Sequence, residues 1–404
     1  MSGSFRWQPD RHRVMFSLTR FPAGLSHDDV RLLLMRSDDR LPLDASSMSV
    51  ETPLTTLESS MDYRREWPMA HHSSPNARHS MDRVNFPLMD RLMEILTPLD
   101  ELELCWGKPL AELTTFRIGG PVTCVARPVD VRAFGVLMAV VRRENIPHLI
   151  LGGGSNVLAP DDPWDVLVVR MAAPAGRIER VNPETEAAGE VFAEAGVRLS
   201  TLLAYCIRAE LGGLEPLVGI PGTVGGAIVM NAGSKDGCIA DPLLWIEVMD
   251  ASGERRRMVR EDLRAEYRHM GLPWEVAVLG ACFGLHRRAQ GLLKERMALL
   301  MRKRKQTQPL GLPSAGCIFK NPSGVSAGAL IDQAGLKGAR IGGAEISRMH
   351  ANWIVNLGDA KAADILGLIR LEEEEVLARF GIRLEREIRV LGPQAHGVIS
   401  TTEH

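Results

Sequence analysis

Residues 219–233, GIPGTVGGAIVMNAG, place five glycines around a proline turn at Pro221–Gly222 and end in an apolar run from Ala227. Glycine permits positive φ and lets one backbone approach another, or a flat or anionic ligand, with no side chain between. A second cluster, Gly152-Gly153-Gly154-Ser155-Asn156, follows the short apolar stretch PHLIL. Consecutive backbone N–H groups in such a loop converge on an anion, and Ser155 and Asn156 add side-chain partners. A third stretch, TTFRIGGP, runs from Thr114 to Pro121. None is the dinucleotide fingerprint G-x-G-x-x-G or the phosphate loop G-x-x-x-x-G-K-[ST]. Tight turns explain one such cluster in isolation. Their co-occurrence in one domain favours a cradle for a phosphate-bearing cofactor, built from Gly152, Gly153, Gly154, Ser155 and Asn156 and from Pro221, Gly222, Thr223, Gly225, Gly226 and Ala227.

Around these loops the pattern is mixed helix and strand. VDVRAFGVLMAVVRREN sets Val131, Phe134, Leu137 or Met138 and Val141 on one helical face, and PHLIL reads as a buried strand entering the glycine turn. DVLVVRM, GEVFAEAG, LLWIEVMD and EVAVLGACFGL read as further strands, with ASGE as a hairpin turn. LSTLLAYCIRAELGG reads as a helix closed by Gly212-Gly213 in a left-handed cap. A basic helix begins near Ala289 and stops at Pro309; a long amphipathic helix covers about 360–380, and IRLEREIRVLG reads as a final strand. The expected organisation is a weakly ordered extension over 1–85, a two-lobed region over 86–287, a smaller domain over 288–392 and a tail over 393–404.

The chain has 404 residues, a formal net charge of −2 and 45% hydrophobic residues, which fits a globular protein with no basic field for nucleic acid. No apolar run is long enough for a bilayer, and no secretory leader opens the chain. The six cysteines are widely spaced, with no C-x-x-C and no zinc spacing, and read as reduced cytoplasmic thiols; no metal site is expected. His71 and His72 read as a solvated pair. Cys317, in PSAGCIFKNP from Pro313 to Pro322, is by itself either a packing thiol or a reactive one.

Taken together, TTFRIGGP, LGGGSNVL, GLEPLVGIPGTVGGAIVMNAG, EYR, PSAGCIFKNP, AGALIDQAGLKGARIGGAEIS, HANWIVN and LEREIRVLG, in this order from about Leu104 to Gly392, resemble the UDP-N-acetylenolpyruvoylglucosamine reductase family of peptidoglycan synthesis. The resemblance implies an α+β fold: an FAD-binding region of the vanillyl-alcohol-oxidase (PCMH) type with a smaller C-terminal α/β substrate-binding domain. It implies FAD as cofactor, NADPH as co-substrate, and UDP-N-acetylglucosamine enolpyruvate as the group reduced, in the bacterial cytoplasm. Hydride delivered to the outer vinyl carbon leaves an enolate-like carbanion beside a carboxylate, which needs a cationic partner and a proton donor.

By the same resemblance Arg268 of EYR stabilises that charge, Glu387 of LERE acts on the same intermediate, and Cys317 is the proton donor where family members often carry serine. Glu385, two residues away, is expected to face away from the site. Asn321 and His350 match positions that contact the nucleotide sugar, and the Arg302–Lys305 run either adds positive charge nearby or is a solvated helix end. The chain lacks the tyrosine-bearing insertion of some relatives, and Met270 stands where some have serine. The alternative readings are a flavoprotein oxidase of a sugar or lactone, and a non-catalytic flavin or nucleotide-sugar binding protein. Oligomeric state is not legible.

Overall fold

The computed structural model describes residues 86–171, 176–181, 188–250, 252–273 and 276–393. The extension expected over 1–85, its His71-His72 pair and residues 394–404 lie outside them.

The first lobe is built on helix α1 (Met89–Leu96), strands β1 (Leu102–Trp106) and β2 (Val122–Pro128), helix α2 (Val131–Arg143), and strands β3 (His148–Ile150), β4 (Val157–Leu158) and β5 (Trp164–Val169). Its sheet has the order β1-β2-β5-β3, with β2 and β3 both parallel to β5. Strand β2 is buried at every position because both faces of the sheet are covered. On one face Phe134, Leu137, Met138 and Val141 of α2 pack with Leu92 and Leu96 of α1, as the periodicity predicts. Asp130 starts α2 by accepting from the Ala133 N–H at 2.7 Å.

The second lobe comprises strands β6 (Ile178–Arg180) and β7 (Ala188–Glu194), helix α3 (Leu199–Arg208), strand β8 (Leu211–Gly212), helix α4 (Val224–Val229), strands β9 (Gly233–Ser234), β10 (Gly237–Cys238), β11 (Leu243–Met249), β12 (Arg255–Val259) and β13 (Ala277–Arg287), and helix α5 (Gln290–Thr307). Its main sheet, β12-β11-β13-β7-β6, is antiparallel. The expected glycine cap of α3 is corrected. The helix stops at Arg208, Glu210 takes the left-handed turn at φ 56°, and Leu211–Gly212 pairs with β13. Chain pairing there outcompetes one more helical turn. Met270 is fully buried in this lobe's core.

Helix α5 was expected to open the C-terminal domain. Instead Leu293, Met297 and Leu300 pack into the second lobe's core, so the smaller unit starts after α5 rather than at 288. That unit holds helix α6 (Ala327–Gln333), strands β14 (Arg340–Ile341), β15 (Ala344–Ile346) and β16 (Ile354–Asn356), helix α7 (Ala362–Phe380) and strand β17 (Arg389–Val390). Strands β14-β15-β16 form an antiparallel sheet against which α7 packs. Gly381, left-handed at φ 66°, ends α7.

The smaller unit is fastened to the first lobe by polar contacts that no apolar pattern announces. The Asp161 carboxylate accepts from the Ala362 N–H at 2.9 Å, at the start of α7. Asn356 Nδ2 donates to the Phe116 carbonyl at 2.9 Å, and Thr115 Oγ1 donates to the Ser314 carbonyl at 2.7 Å. The expected final strand is divided: Phe319 bridges Arg386 within the unit, while β17 runs parallel to β4 of the first lobe. Glu387 lies between these two pairings.

Candidate active site

The glycine loops meet each other. A Cβ on Gly153 would lie 2.6 Å from Gly222 Cα, and one on Gly222, whose φ is +117°, would lie 2.9 Å from Ser155 Oγ. Ser155 Oγ donates to the Pro221 carbonyl at 3.2 Å. Asn156 Nδ2 donates to the Glu387 carbonyl at 3.0 Å. Both side chains expected to serve the cofactor are therefore engaged in holding the loops and the C-terminal strand. The backbone is different: among the described residues none accepts from the N–H groups of Gly153, Gly154, Ser155, Asn156, Gly222 or Thr223. Beneath them Arg170, 3% exposed, directs Nε to the Gly152 carbonyl at 3.4 Å. Burial and the neighbouring Arg198 pull the Arg170 guanidinium down to about 10, so it remains charged at neutral pH. Open backbone donors over buried positive charge suit a diphosphate, and the residues present fit FAD on this ground.

Three other positions expected in the cradle, Gly225, Gly226 and Ala227, have their N–H groups engaged within the protein. The N–H of Gly225 donates to Ala195 O at 2.9 Å, that of Gly226 to Thr223 Oγ1 at 3.4 Å, and that of Ala227 to Thr223 O at 2.9 Å. A Cβ on Gly225 would meet Ala195 Cβ at 2.8 Å, and Ala227 is in the second lobe's core. These positions seat α4 on the sheet; their donors are not open to an anion.

Arg268, Cys317 and Glu387, separated by up to 119 positions in the numbering of the chain, come together. Arg268 sits in a turn closed by reciprocal bonds between Glu266 and His269 (2.8 and 3.1 Å), with left-handed φ of 61°. Its Nη1 donates to the Gly233 carbonyl at 2.9 Å, and its Nε lies 2.8 Å from Glu387 Oε1. That second contact is an ion pair off the N–H direction, and Glu387 Oε2 is buried with no protein donor. Glu387 is placed by its N–H, which donates to the Ile318 carbonyl at 2.7 Å, so it flanks Cys317. Glu385 faces solvent and pairs with Lys320; on a regular strand it would share a face with Glu387, and the break between the Arg386 bridge and β17 separates the two.

Cys317 is half-buried as a residue, but its thiol is pushed up to about 12, first by burial and then by the Glu387 carboxylate. Arg268, the Trp353 indole N–H and Arg304 pull the other way. The thiol is therefore protonated at neutral pH, as a proton donor must be. Burial also raises Glu387, opposed by Arg268 and Lys320. Of the basic run, Arg302, Lys303 and Lys305 are exposed and only Arg304 turns inward, its Nη2 3.4 Å from the Pro216 carbonyl. Burial and Arg268 lower its pKa.

Asn321 sits at the margin: its Nδ2 lies 3.4 Å from Tyr267 Oη, and its Oδ1 accepts from the Ala327 N–H at 3.1 Å. His350 is half-buried against the Trp353 ring (6.3 Å between centroids), its pKa lowered by burial, and among the described residues its Nδ1 has no partner. Sequence reasoning passed over Asn352, 2% exposed, which accepts from the Phe319 N–H at 2.9 Å and donates to its carbonyl at 2.8 Å. Its backbone carbonyl also accepts from Ile318. This clamp fixes the extended segment that carries Cys317. An amide between Ala351 and Trp353 in an otherwise apolar run was the signal, since a buried amide must be bonded. Among the described residues no His, Cys, Asp and Glu group is arranged for a metal, and all cysteines are free.

Comparison with known proteins follows this geometry. Residues 122–258 match the FAD binding domain family, and residues 308–391 match the family described as UDP-N-acetylenolpyruvoylglucosamine reductase, C-terminal domain. A UDP-N-acetylenolpyruvoylglucosamine reductase of Syntrophobacter fumaroxidans is 50% identical over 304 residues, 75% of this chain and 88% of that protein. One from Chloroherpeton thalassium is 42% identical over 296 residues, 71% and 93% of the two chains. The crystal structure of UDP-N-acetylenolpyruvylglucosamine reductase from Thermus caldophilus superposes with a TM-score of 0.60 at 36% identity, covering 72% of this chain and 99% of that one. The two lobes thus carry the FAD binding domain, residues 122–258, in an α+β fold, followed by the smaller domain.

Proposed function

Because this chain belongs to the UDP-N-acetylenolpyruvoylglucosamine reductase family, we propose that it is an FAD-dependent oxidoreductase that uses NADPH to convert UDP-N-acetylglucosamine enolpyruvate to UDP-N-acetylmuramate for peptidoglycan synthesis. The observation that carries this reading is the meeting of a half-buried Arg268–Glu387 pair with a protonated Cys317 at the border of the lobes and the smaller domain. The Gly152–Asn156 and Pro221–Thr223 backbone would hold FAD, which when bound and reduced by NADPH would supply the hydride for the outer vinyl carbon.

The chain's own residues handle the charge and proton that result. Arg268 presents a fixed guanidinium to the enolate and carboxylate, where a cation is worth most because water is excluded. Glu387 holds that guanidinium through Oε1 and leaves buried Oε2 for the substrate side. Cys317 gives its proton to the inner vinyl carbon, and the thiolate left behind faces Arg268 and the Trp353 N–H, the groups that favour its charged form. Asn321, His350 and Arg304 border the space for the nucleotide sugar. We place the reaction in the bacterial cytoplasm, where NADPH and nucleotide sugars are held. Among the described residues no helix is long and apolar enough to cross a membrane.

The test is direct. Purified protein should show a flavin absorbance band and consume NADPH only when the enolpyruvyl sugar nucleotide is present, with or without oxygen. Oxygen-dependent sugar oxidation would mark an oxidase instead, and flavin binding without turnover would mark a binding protein.

A further inference from the structure

Arg268 occupies a left-handed conformation, φ 61°, in which a side chain crowds its own backbone. A residue stays there only when its surroundings over-determine it. Those surroundings are one short segment, Asn231–Gly233, just after α4. Asn231 Nδ2 donates to the carbonyl of Glu266, the residue that opens the turn, at 2.8 Å. Two residues on, the Gly233 carbonyl accepts from Arg268 Nη1 at 2.9 Å. The segment therefore grips the turn at its backbone and the arginine at its guanidinium. Asn231 is itself left-handed at φ 41° and is only 7% exposed. Its Oδ1 is buried with no protein donor, so among the described residues the bond to Glu266 is what fixes the amide. Glycine satisfies that backbone more easily than asparagine does; what asparagine adds is the amide N–H.

We propose that Asn231 is a positioning residue for Arg268, holding the turn from which the guanidinium reaches Glu387 and the carbanion. The inference rests on the reading above, and it places the effect of Asn231 in the step where substrate is reduced. Loss of the amide lets the turn relax and moves the guanidinium, and small displacements of a charge-stabilising group are expensive in rate.

The experiment is a double-mutant cycle on the flavin-loaded, full-length protein, read by anaerobic single-turnover mixing of the reduced enzyme with the enolpyruvyl sugar nucleotide. N231G keeps the backbone free to adopt its φ and removes the amide; reoxidation is expected to slow about tenfold or more. In an R268A background the same change is expected to add less than about twofold, because the group it positions is gone. N231D, of equal size but with an acceptor facing the Glu266 carbonyl, is expected to slow reoxidation at least as much as N231G. Flavin content, melting temperature and the NADPH reduction rate serve as controls that a merely structural role would move. Unchanged reoxidation in N231G, a full additional loss in the R268A background, or a parallel fall of all the controls overturns the proposal. A wild-type enzyme that the substrate fails to reoxidise overturns the functional reading instead, so the two failures are distinguishable.

Discussion

Replacing Cys317 by alanine removes the one acid that flanks both Arg268 and Glu387. With its pKa pushed up from 9.0 to about 12, roughly one thiol in ten thousand is ionised at pH 8, so essentially every enzyme molecule carries the proton when the carbanion forms. A positioned general acid contributes about 100- to 10,000-fold, equivalent to roughly 3–5 kcal/mol of barrier, and alanine should forfeit most of it. Serine, with a hydroxyl in the same place and the same clamp from Asn352, should restore the rate to within about tenfold of wild type. The measurement is single-turnover reoxidation of the reduced flavin by the enolpyruvyl substrate, run in D2O so that the configuration of the new C–D bond is read from the product. Iodoacetamide labelling gives an independent check, since a thiol near 12 should react roughly a thousand times more slowly at pH 8 than one near 9. An alanine variant within twofold of wild type, delivering deuterium with unchanged stereochemistry, would return Cys317 to the class of packing thiols and remove the acid from the mechanism.

Two further outcomes follow from packing and burial. Gly153→Ala puts a methyl 2.6 Å from Gly222 Cα, backbone that has no side chain to move, whereas Gly226→Ala meets only Thr223 Oγ1 at 3.6 Å; the first should purify colourless or lose flavin on dialysis and the second should stay yellow, as absorbance at 450 nm will show, and equal flavin content in both sinks the assignment of the cradle. Glu372, fully buried in α7 with neither carboxylate oxygen bonded among the described residues, is raised well above its ordinary pKa by burial and by Glu373. The folded state then holds a proton that the unfolded chain releases, so stability is greatest below the unfolded carboxyl's pKa and falls as pH rises from there toward the raised folded value. Glu372→Leu should raise the melting temperature by the equivalent of about 1–3 kcal/mol and flatten its dependence above about pH 4.3; a lower melting temperature at pH 8 would show that the carboxylate has a role in the fold.

Much of this protein is local information. The 3.6-residue spacing of Phe134, Leu137, Met138 and Val141 specifies the buried face of α2, because the period of a helix and the apolar demand of a core suffice for it. Collinear motifs likewise bring Arg268, Cys317 and Glu387 forward as candidates, whereas a two-residue period would put Glu385 and Glu387 on one face and only the folded chain separates them. Residue chemistry alone also leaves Cys317 as either a packing thiol or a reactive one.

What tertiary structure decided is everything that depends on two distant segments meeting. Glycines read as making room for a cofactor turn out to make room for one another at Gly153 and Gly222, and only the folded loops distinguish N–H groups open to an anion from those of Gly225, Gly226 and Ala227, which Ala195 and Thr223 engage. The basic run looks uniform in sequence, yet α5 packs by Leu293, Met297 and Leu300 and so turns Arg304 alone toward the site. Asn156, Asn231 and Asn352 are ordinary amides until the fold supplies the carbonyls of Glu387, Glu266 and Phe319. The physical reason is directional: apolar burial needs only a periodic face, which a sequence displays, whereas a hydrogen bond or a shifted pKa needs a particular partner at about 3 Å, and that partner lies wherever the chain returns.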